Sequence, residues 1–282
     1  MLSSMPKLMT AAMVVAGLAL QPVFAGETRK FDDLVFSEIV VLGGIEVEIS
    51  QDDDSIVLVN GPSDVLDNKP FYVSKETLVL GKSRTYRGDD NHRIRFKVVT
   101  PELRELRVKG SGEAYVKEFL LMDPDRGGPP LFSVEGSGDI KLFGIEGETL
   151  ELRVKGSGDI KAVGVEVGDI EAVVSGSGDL FIQTLQADTG EFVVTGSGDL
   201  GVTEGGYVKR LEVNVIGSGD AHLGDVDCDS VEVNIVGSGG AELGVIRDQL
   251  NASVLGSGDV RYKGDPKVDK VEFGSGEVRR RR

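Results

Sequence analysis

A Gly-Ser-Gly tripeptide recurs from residue 110 onward and constrains the fold of this 282-residue chain more than any other feature. Successive copies are separated by 26, 20, 20, 20, 21, 20, 19 and 18 residues. The nine copies begin at Gly110, Gly136, Gly156, Gly176, Gly196, Gly217, Gly237, Gly256 and Gly274. A regular period of this length is typical of solenoids and other repeat architectures, in which each repeat is one structural unit.

Apolar residues are spaced two apart within each repeat, with two spacings of three. In the unit that begins at Asp159 they are Ile160, Ala162, Val165, Val167, Ile170, Ala172 and Val174. In the unit that begins at Asp220 they are Ala221, Leu223, Val226, Cys228, Val231, Val233 and Ile235. A spacing of two is the β-strand period, and the spacings of three mark corners. The sequence therefore predicts an all-β fold, a single-stranded parallel β-helix or solenoid with ~20 residues per coil.

The two glycines of each motif are predicted to turn the chain at a corner of the coil. Only glycine fits closely against the next coil at a sharp bend, and it adopts positive φ without strain. This structural role is assigned to Gly136, Gly138, Gly156, Gly158, Gly176, Gly178, Gly196, Gly198, Gly217 and Gly219. The alternative, a phosphate-binding glycine loop, would precede a helix, and the repeats show no helical period.

Outside the repeat, the chain divides into three further segments. Residues 1–25 have the pattern of a secretory signal peptide, with Lys7 before an apolar run and Ala25 at the end. Residues 26–109 show strand-like alternation and are predicted to form an N-terminal β cap with the first coils. Residues 110–277 are the solenoid, continuous with the cap as one domain, and residues 278–282 are expected to be a disordered, solvated basic tail.

The leader predicts an exported protein, periplasmic or secreted to the cell surface, cleaved near Ala25. The apolar run is short for a membrane span, so none is expected in the mature form. The net charge of −16 disfavours nucleic acid as a partner.

Acidic residues also repeat with the coils and should stack as two ladders. One ladder consists of Asp139, Asp159, Asp179, Asp199 and Asp220, and the other of Glu151, Glu171, Glu191, Glu212 and Glu232. Like charges about 4.8 Å apart disfavour one another. Bridging Ca²⁺ ions would offset this repulsion. The repulsion would also be offset by solvation, by neighbouring cationic side chains and, for the aspartates, by hydrogen bonds to the corner backbone. We favour this second explanation, which needs no cofactor.

The residue before each motif becomes apolar in the later coils, at Ile216, Val236 and Leu255. The alternation of inward and outward side chains places this residue on the outer face, which predicts a contact patch for self-association or for a covering segment. A bulge near the 21-residue interval that ends at Gly217 would instead turn these side chains inward. The sequence leaves both alternatives open.

The residue types offer little for catalysis. His92 and His222 are far apart and without a repeated partner, and Cys228 occupies an inward slot. We therefore expect surface histidines and a buried cysteine. A polysaccharide lyase or hydrolase would need a groove with acidic, basic and aromatic residues that break the repeat. The loop Asp123–Pro130, which lengthens the 26-residue interval, is the place to look for one.

Particular segments resemble a known family. They are Phe36-Ser37-Glu38-Ile39-Val40-Val41, Gly44-Ile45-Glu46-Val47-Glu48-Ile49, Pro101-Glu102-Leu103, Arg107-Val108-Lys109-Gly110-Ser111-Gly112 and the repeated Gly-Ser-Gly-Asp. Over roughly residues 31–277 the chain resembles the bacterial exported proteins named putative auto-transporter adhesin, head GIN domain. The resemblance implies a β-helical fold and a cell-surface or periplasmic location. We expect a non-enzymatic interaction or adhesion module with an unidentified envelope partner, and a carbohydrate-active enzyme is the alternative.

Overall fold

The computed structural model describes residues 26–82, 94–121 and 128–281. The predicted signal peptide, His92 and most of the loop Asp123–Pro130 therefore lie outside the described residues. The fold is nearly all β, a solenoid of about 8 turns with roughly 20 residues each. The predicted fold class is confirmed.

One continuous sheet contains every strand of the described chain. Its N-terminal elements are β1 (Glu27–Phe31), β2 (Glu38–Gly43), β3 (Glu46–Gln51), β4 (Ile56–Gly61), α1 (Ser63–Asp67), β5 (Phe71–Ser74), β6 (Thr77–Leu80) and β7 (Arg95–Thr100). The stacked coils are built from β8 (Glu105–Gly110), β9 (Glu113–Leu120), β10 (Leu131–Gly136), β11 (Asp139–Gly156), β12 (Ile160–Gly176), β13 (Leu180–Gly196), β14 (Leu200–Gly217), β15 (Ala221–Leu223), β16 (Val226–Gly237), β17 (Ala241–Gly256), β18 (Val260–Gly264), β19 (Lys267–Gly274) and β20 (Val278–Arg280).

Each coil pairs in parallel with the coils before and after it. Between β11 and β12 the register runs from Ile140 opposite Ile160 to Gly156 opposite Gly176, an offset of one repeat. Between β13 and β14 the register shifts after Ile182, so the extra residue of the 21-residue interval lies before Gly205. This bulge is remote from Ile216, which pairs with Thr195 in unbroken register.

The inward slots form a core that runs through the stack. The predicted inward residues of the units beginning at Asp159 and Asp220 are all buried. Burying a valine, leucine or isoleucine side chain contributes about 1.5–3 kcal/mol to the stability of the fold. Cys228 is 2% exposed and not in a disulfide, and burial raises the pKa of its thiol to about 12. It is therefore a protonated packing residue.

The two glycines of a motif meet different constraints, as Gly176 and Gly178 illustrate. Gly176 has φ +131, in the left-handed region that side-chain-bearing residues rarely adopt. A Cβ on Gly178 would lie 2.0 Å from the carbonyl oxygen of Gly158 in the preceding coil. The amides of Ser177 and Gly178 both donate to the Gly156 carbonyl, at 2.9 and 3.0 Å. The corner stacks this closely because it carries no Cβ at that point.

The N-terminal end is closed by antiparallel strands and aromatic packing. Strands β2 and β3 form a first coil, parallel to β8 and β9. Next to them β4 pairs antiparallel with β1 and β7, and β5 pairs antiparallel with β6. Phe71 lies edge-on to Phe31 and Phe96, with ring centroids 4.8 and 6.3 Å away. The short helix α1, which the sequence analysis did not predict, adds the buried Val65 and Leu66.

The tail was expected to be disordered and solvated, but residues 278–280 are ordered, although Arg279 and Arg280 are exposed. They form β20, which pairs in parallel with β18. The reason is Val278, which occupies the slot below the inward Val260 and is itself buried. The arginines that follow bind neighbouring acids, for example Arg279 to Asp259 at 2.9 Å.

Candidate functional site

A cleft of about 560 Å³ runs across the coils along the glutamate ladder. Its described lining residues are Pro129, Thr149, Leu150, Asp169, Ile170, Glu171, Thr189, Gly190, Glu191, Arg210, Leu211, Glu212, Ser230, Val231, Glu232, Gln249 and Asn251. Pro129, near the end of the loop Asp123–Pro130, lies at one end of the cleft. The floor is lowered at Gly190, which occupies an inward slot without a side chain.

The glutamate ladder is stacked in strict register from Glu151 to Glu232, and its members from Glu171 onward line the cleft. Their surroundings differ along the column. Glu151 is 8% exposed and pairs with Arg153, which also lies 3.4 Å from Glu171. The pKa of Glu191 is raised, first by burial and then by the charges of Glu212 and Glu171. The ladder is thus neutralised at its N-terminal end and retains negative charge in its middle.

A second row of side chains on the other side of the cleft floor changes from coil to coil. It consists of Thr149, Asp169, Thr189, Arg210, Ser230 and Gln249. The Thr189 hydroxyl donates to the Asp169 carboxylate. Sequence reasoning missed this row because it does not repeat. The Gly190 gap in the apolar pattern was the available signal.

The cleft is different from the catalytic groove that a carbohydrate-active enzyme would need. Its glutamates belong to the repeat, and its described lining includes no aromatic side chain on which a sugar could stack. Its chemistry suits hydrogen-bonding or cationic ligands.

The aspartate ladder is bonded to the corner backbone. Each carboxylate accepts a hydrogen bond from the backbone amide one coil further on, as from Asp159 to Asp139 at 3.1 Å. The same bond joins Asp179 to Asp159, Asp199 to Asp179, and Asp220 to Asp199, at 2.8 to 3.0 Å. These bonds give the aspartates a structural role. Calcium bridging of either ladder stays the alternative to this explanation.

Ile216, Val236 and Leu255 point outward and are 51%, 45% and 48% exposed. They stack in register, and Phe273 continues the stack in the next coil at 73% exposed. We call these four residues the apolar column. Sequence reasoning missed Phe273, although it also directly precedes a Gly-Ser-Gly motif.

His222 faces outward, with 45% of its side chain exposed, and has two acidic neighbours. Its Nε2 lies 3.7 Å from a carboxylate oxygen of Asp199, and Asp220 is close to both.

The model of the family Putative auto-transporter adhesin, head GIN domain, matches residues 35–266. The chain belongs to this family. The resemblance seen in the sequence is thereby confirmed. No match was found among curated proteins. Within the described residues, no helix has the length and apolar character needed to cross a membrane.

Solved structures of similar proteins have the same fold as this head GIN domain chain. A putative adhesin from Parabacteroides merdae ATCC 43184 has a TM-score of 0.68 at 19% identity, over 91% of this chain and 96% of that one. A putative adhesin from Parabacteroides distasonis ATCC 8503 has a TM-score of 0.65 at 23% identity, over 90% of this chain and 96% of that one. A putative lipid binding protein from Parabacteroides distasonis ATCC 8503 has a TM-score of 0.66 at 25% identity, over 91% of this chain and 97% of that one.

Proposed function

We propose that this chain is an exported, non-enzymatic interaction module of the bacterial cell envelope that binds a partner protein through its apolar column. The column carries the proposal, because its four side chains are between 45% and 73% exposed and stacked in register. Membership of a family described as adhesins supports an adhesion-type role.

The outer face of the solenoid does not require apolar residues at this position. In the preceding coils the same position is occupied by Lys109, Glu135, Lys155, Ser175 and Thr195, all in register. The change to apolar side chains begins at Ile216 and extends over about 14 Å at the spacing of parallel strands. Contiguous exposed apolar surface of this kind marks protein interfaces.

The neighbouring outward column provides the edge of the proposed interface. Asn214, Asn234 and Ser253 stack there, followed by Val271, which is 64% exposed. A polar rim around an apolar centre is the usual anatomy of a protein interface. Truncating central residues of such an interface costs more than truncating residues at the rim.

The test is binding of the full chain to envelope fractions of the bacterium that encodes it. Val236→Lys/Leu255→Lys should weaken binding by about tenfold or more, equivalent to ~1.4 kcal/mol. The matched control is Ser175→Lys/Thr195→Lys, which adds the same charge to the same column two and three coils from Val236. The control should bind like the original chain.

Equal binding by both variants would refute the proposal. Protein-free vesicles made from lipids of the same envelope form a separate arm, since one structural relative is described as a lipid binding protein. Binding to these vesicles that depends on Val236 and Leu255 would contradict a protein partner.

A further inference from the structure

We propose that Asp199, Asp220 and His222 form a binding site for a divalent transition-metal ion of the Zn²⁺ class. One carboxylate oxygen of each aspartate and one imidazole nitrogen all lie within 4.8 Å of one another. The group is half-buried on the outer face, where β14 and β15 pair.

The two carboxylates are already oriented by the ladder. One oxygen of Asp199 accepts the Asp220 amide at 2.8 Å, and one oxygen of Asp220 accepts the Gly240 amide at 2.6 Å. In each case the second oxygen has no hydrogen bond to another described residue. Metal-binding carboxylates are commonly held by outer hydrogen bonds of this kind.

His222 reaches Asp199 because the preceding coil leaves room. It pairs with Gly201, where a Cβ would lie 2.8 Å from the Cβ of His222. In earlier coils the same column holds the long side chains of Phe181 and Lys161. The glycine and the histidine are therefore complementary departures from the repeat.

The distance of 3.7 Å between His222 Nε2 and the Asp199 carboxylate is too long for a hydrogen bond. It is close to the separation of two ligands on one metal ion. Bonds of about 2.0–2.1 Å to a tetrahedral ion place neighbouring ligand atoms roughly 3.4 Å apart. A small rotation of the side chains would bring the three ligands to that geometry.

A cavity of about 260 Å³ opens beside Asp220 and His222. It exists because Gly240 stands where the ladder would otherwise continue with an aspartate. The cavity gives an ion access and has room for water to complete its coordination. Arg261, which also lines it, is paired with Glu242 and Asp259.

The donor set decides the class of metal. Imidazole with two carboxylates suits Zn²⁺, Cu²⁺ or Ni²⁺, whereas Ca²⁺ prefers sites made of oxygen ligands. The stacked pair Asp159 and Asp179 has the same backbone hydrogen bond but no histidine beside it. It therefore provides an internal control for ladder binding without the nitrogen ligand.

The test is equilibrium dialysis of the tag-free full chain against zinc chloride. We expect one saturable ion per chain, with His222→Asn and Asp220→Asn each weakening affinity at least about tenfold. Asparagine retains the oxygen that accepts the Gly240 amide, so Asp220→Asn should leave the fold intact. Asp159→Asn, the matched ladder control, and His92→Asn should bind zinc like the original chain.

Electron paramagnetic resonance of the Cu²⁺-loaded chain gives a second readout. The spectrum should show nitrogen coupling that His222→Asn removes and Asp159→Asn retains. Calcium chloride in place of zinc should not bind saturably to this site. Four outcomes would overturn the proposal: no saturable zinc binding, equal loss in Asp159→Asn, nitrogen coupling that survives His222→Asn, or tighter binding of calcium than of zinc.

Discussion

The two ends of the solenoid close the same core in opposite ways. At the N-terminal end Phe71 packs against Phe31 and Phe96, and the Lys69 ammonium lies 5.1 Å from the Phe71 ring centroid. The core is thus extended by an aromatic layer and then covered by antiparallel strands. At the C-terminal end the last complete coil carries polar residues in two of its inward slots.

The polarity of β19 is inverted relative to the coil before it. Lys270 and Glu272 lie below the buried Ala252 and Val254, and their side chains pair at 2.8 Å. Both also bind the backbone of Val278, through its carbonyl and its amide. An ion pair is suitable here because the described chain has no complete coil beyond β19 to bury an apolar side chain.

The inversion also changes the outer surface. With polar residues inward, the apolar Val271 and Phe273 of β19 face outward. Closing the C-terminal end and extending the apolar column therefore result from the same change of pattern. At the N-terminal closure the described residues form no comparable column, because the aromatic rings are directed into the core.

The largest expected effect is a loss of stability when an aromatic ring is truncated at the N-terminal end. The same truncation at the C-terminal end should have little effect. Phe71→Ala removes a ring that is 1% exposed and should lower the free energy of unfolding by about 3–5 kcal/mol. Phe273→Ala removes a ring that is largely in solvent and should change it by no more than about 0.5 kcal/mol. Guanidinium denaturation followed by circular dichroism measures both. Similar losses from the two variants would contradict the contrast between the ends.

A smaller effect is expected on opening of the coils near the C-terminal end. Val278→Ala should destabilise the closure by about 1.5 kcal/mol, because it removes buried hydrocarbon. Coils couple mainly to their neighbours, so the buried Cys228 should become accessible about tenfold more often. The measurement is the rate at which a thiol reagent labels the native chain.

Arg280→Ala, which changes an exposed residue of the same strand, is the matched control and should leave the labelling rate unchanged. Phe71→Ala should accelerate labelling less than Val278→Ala, because it acts at the distant end. The reverse order would show that the solenoid opens as one cooperative unit.

The smallest expected effect is the pH response of the polar closure. The Lys270 ammonium and, next, the Val278 amide lower the pKa of Glu272 below its ordinary value of 4.5. A lowered pKa means that the contribution of Glu272 is present above the value in the unfolded chain and is lost as pH falls through the folded value. An NMR titration of the Val278 amide proton should have its midpoint below 4.5, and Glu272→Gln should abolish it.

Glu191 provides a comparison of opposite sign. Burial and the neighbouring Glu212 and Glu171 raise its pKa, so its side-chain resonances should titrate above 4.5. If Glu272 and Glu191 titrated with the same midpoint, the ion pair between Lys270 and Glu272 would not contribute to the closure of the C-terminal end.

The regular coils were predictable because their signal is periodic. A fixed interval and a parity of two place Val174, Cys228 and Ile235 inside without any knowledge of distant contacts. The same register aligns Glu151 with Glu171 and each later glutamate. The last coil was not predictable from the repeat, because its inward slots depart from it. The order of the tail was predictable, because Val278 follows its Gly-Ser-Gly motif as Val260 does one coil earlier.

The sequence by itself determined the coil, its inward slots and the stacking of its ladders, since these depend on repeat length and alternation alone. Tertiary structure decided which members of a ladder differ from the rest. Glu151 is paired with Arg153 while Glu191 is not, although both hold the same place in the repeat. His222 meets Asp199 because Gly201, one coil away, leaves room for it. The physical reason is that side chains one coil apart are in contact, although about twenty residues separate them in the chain.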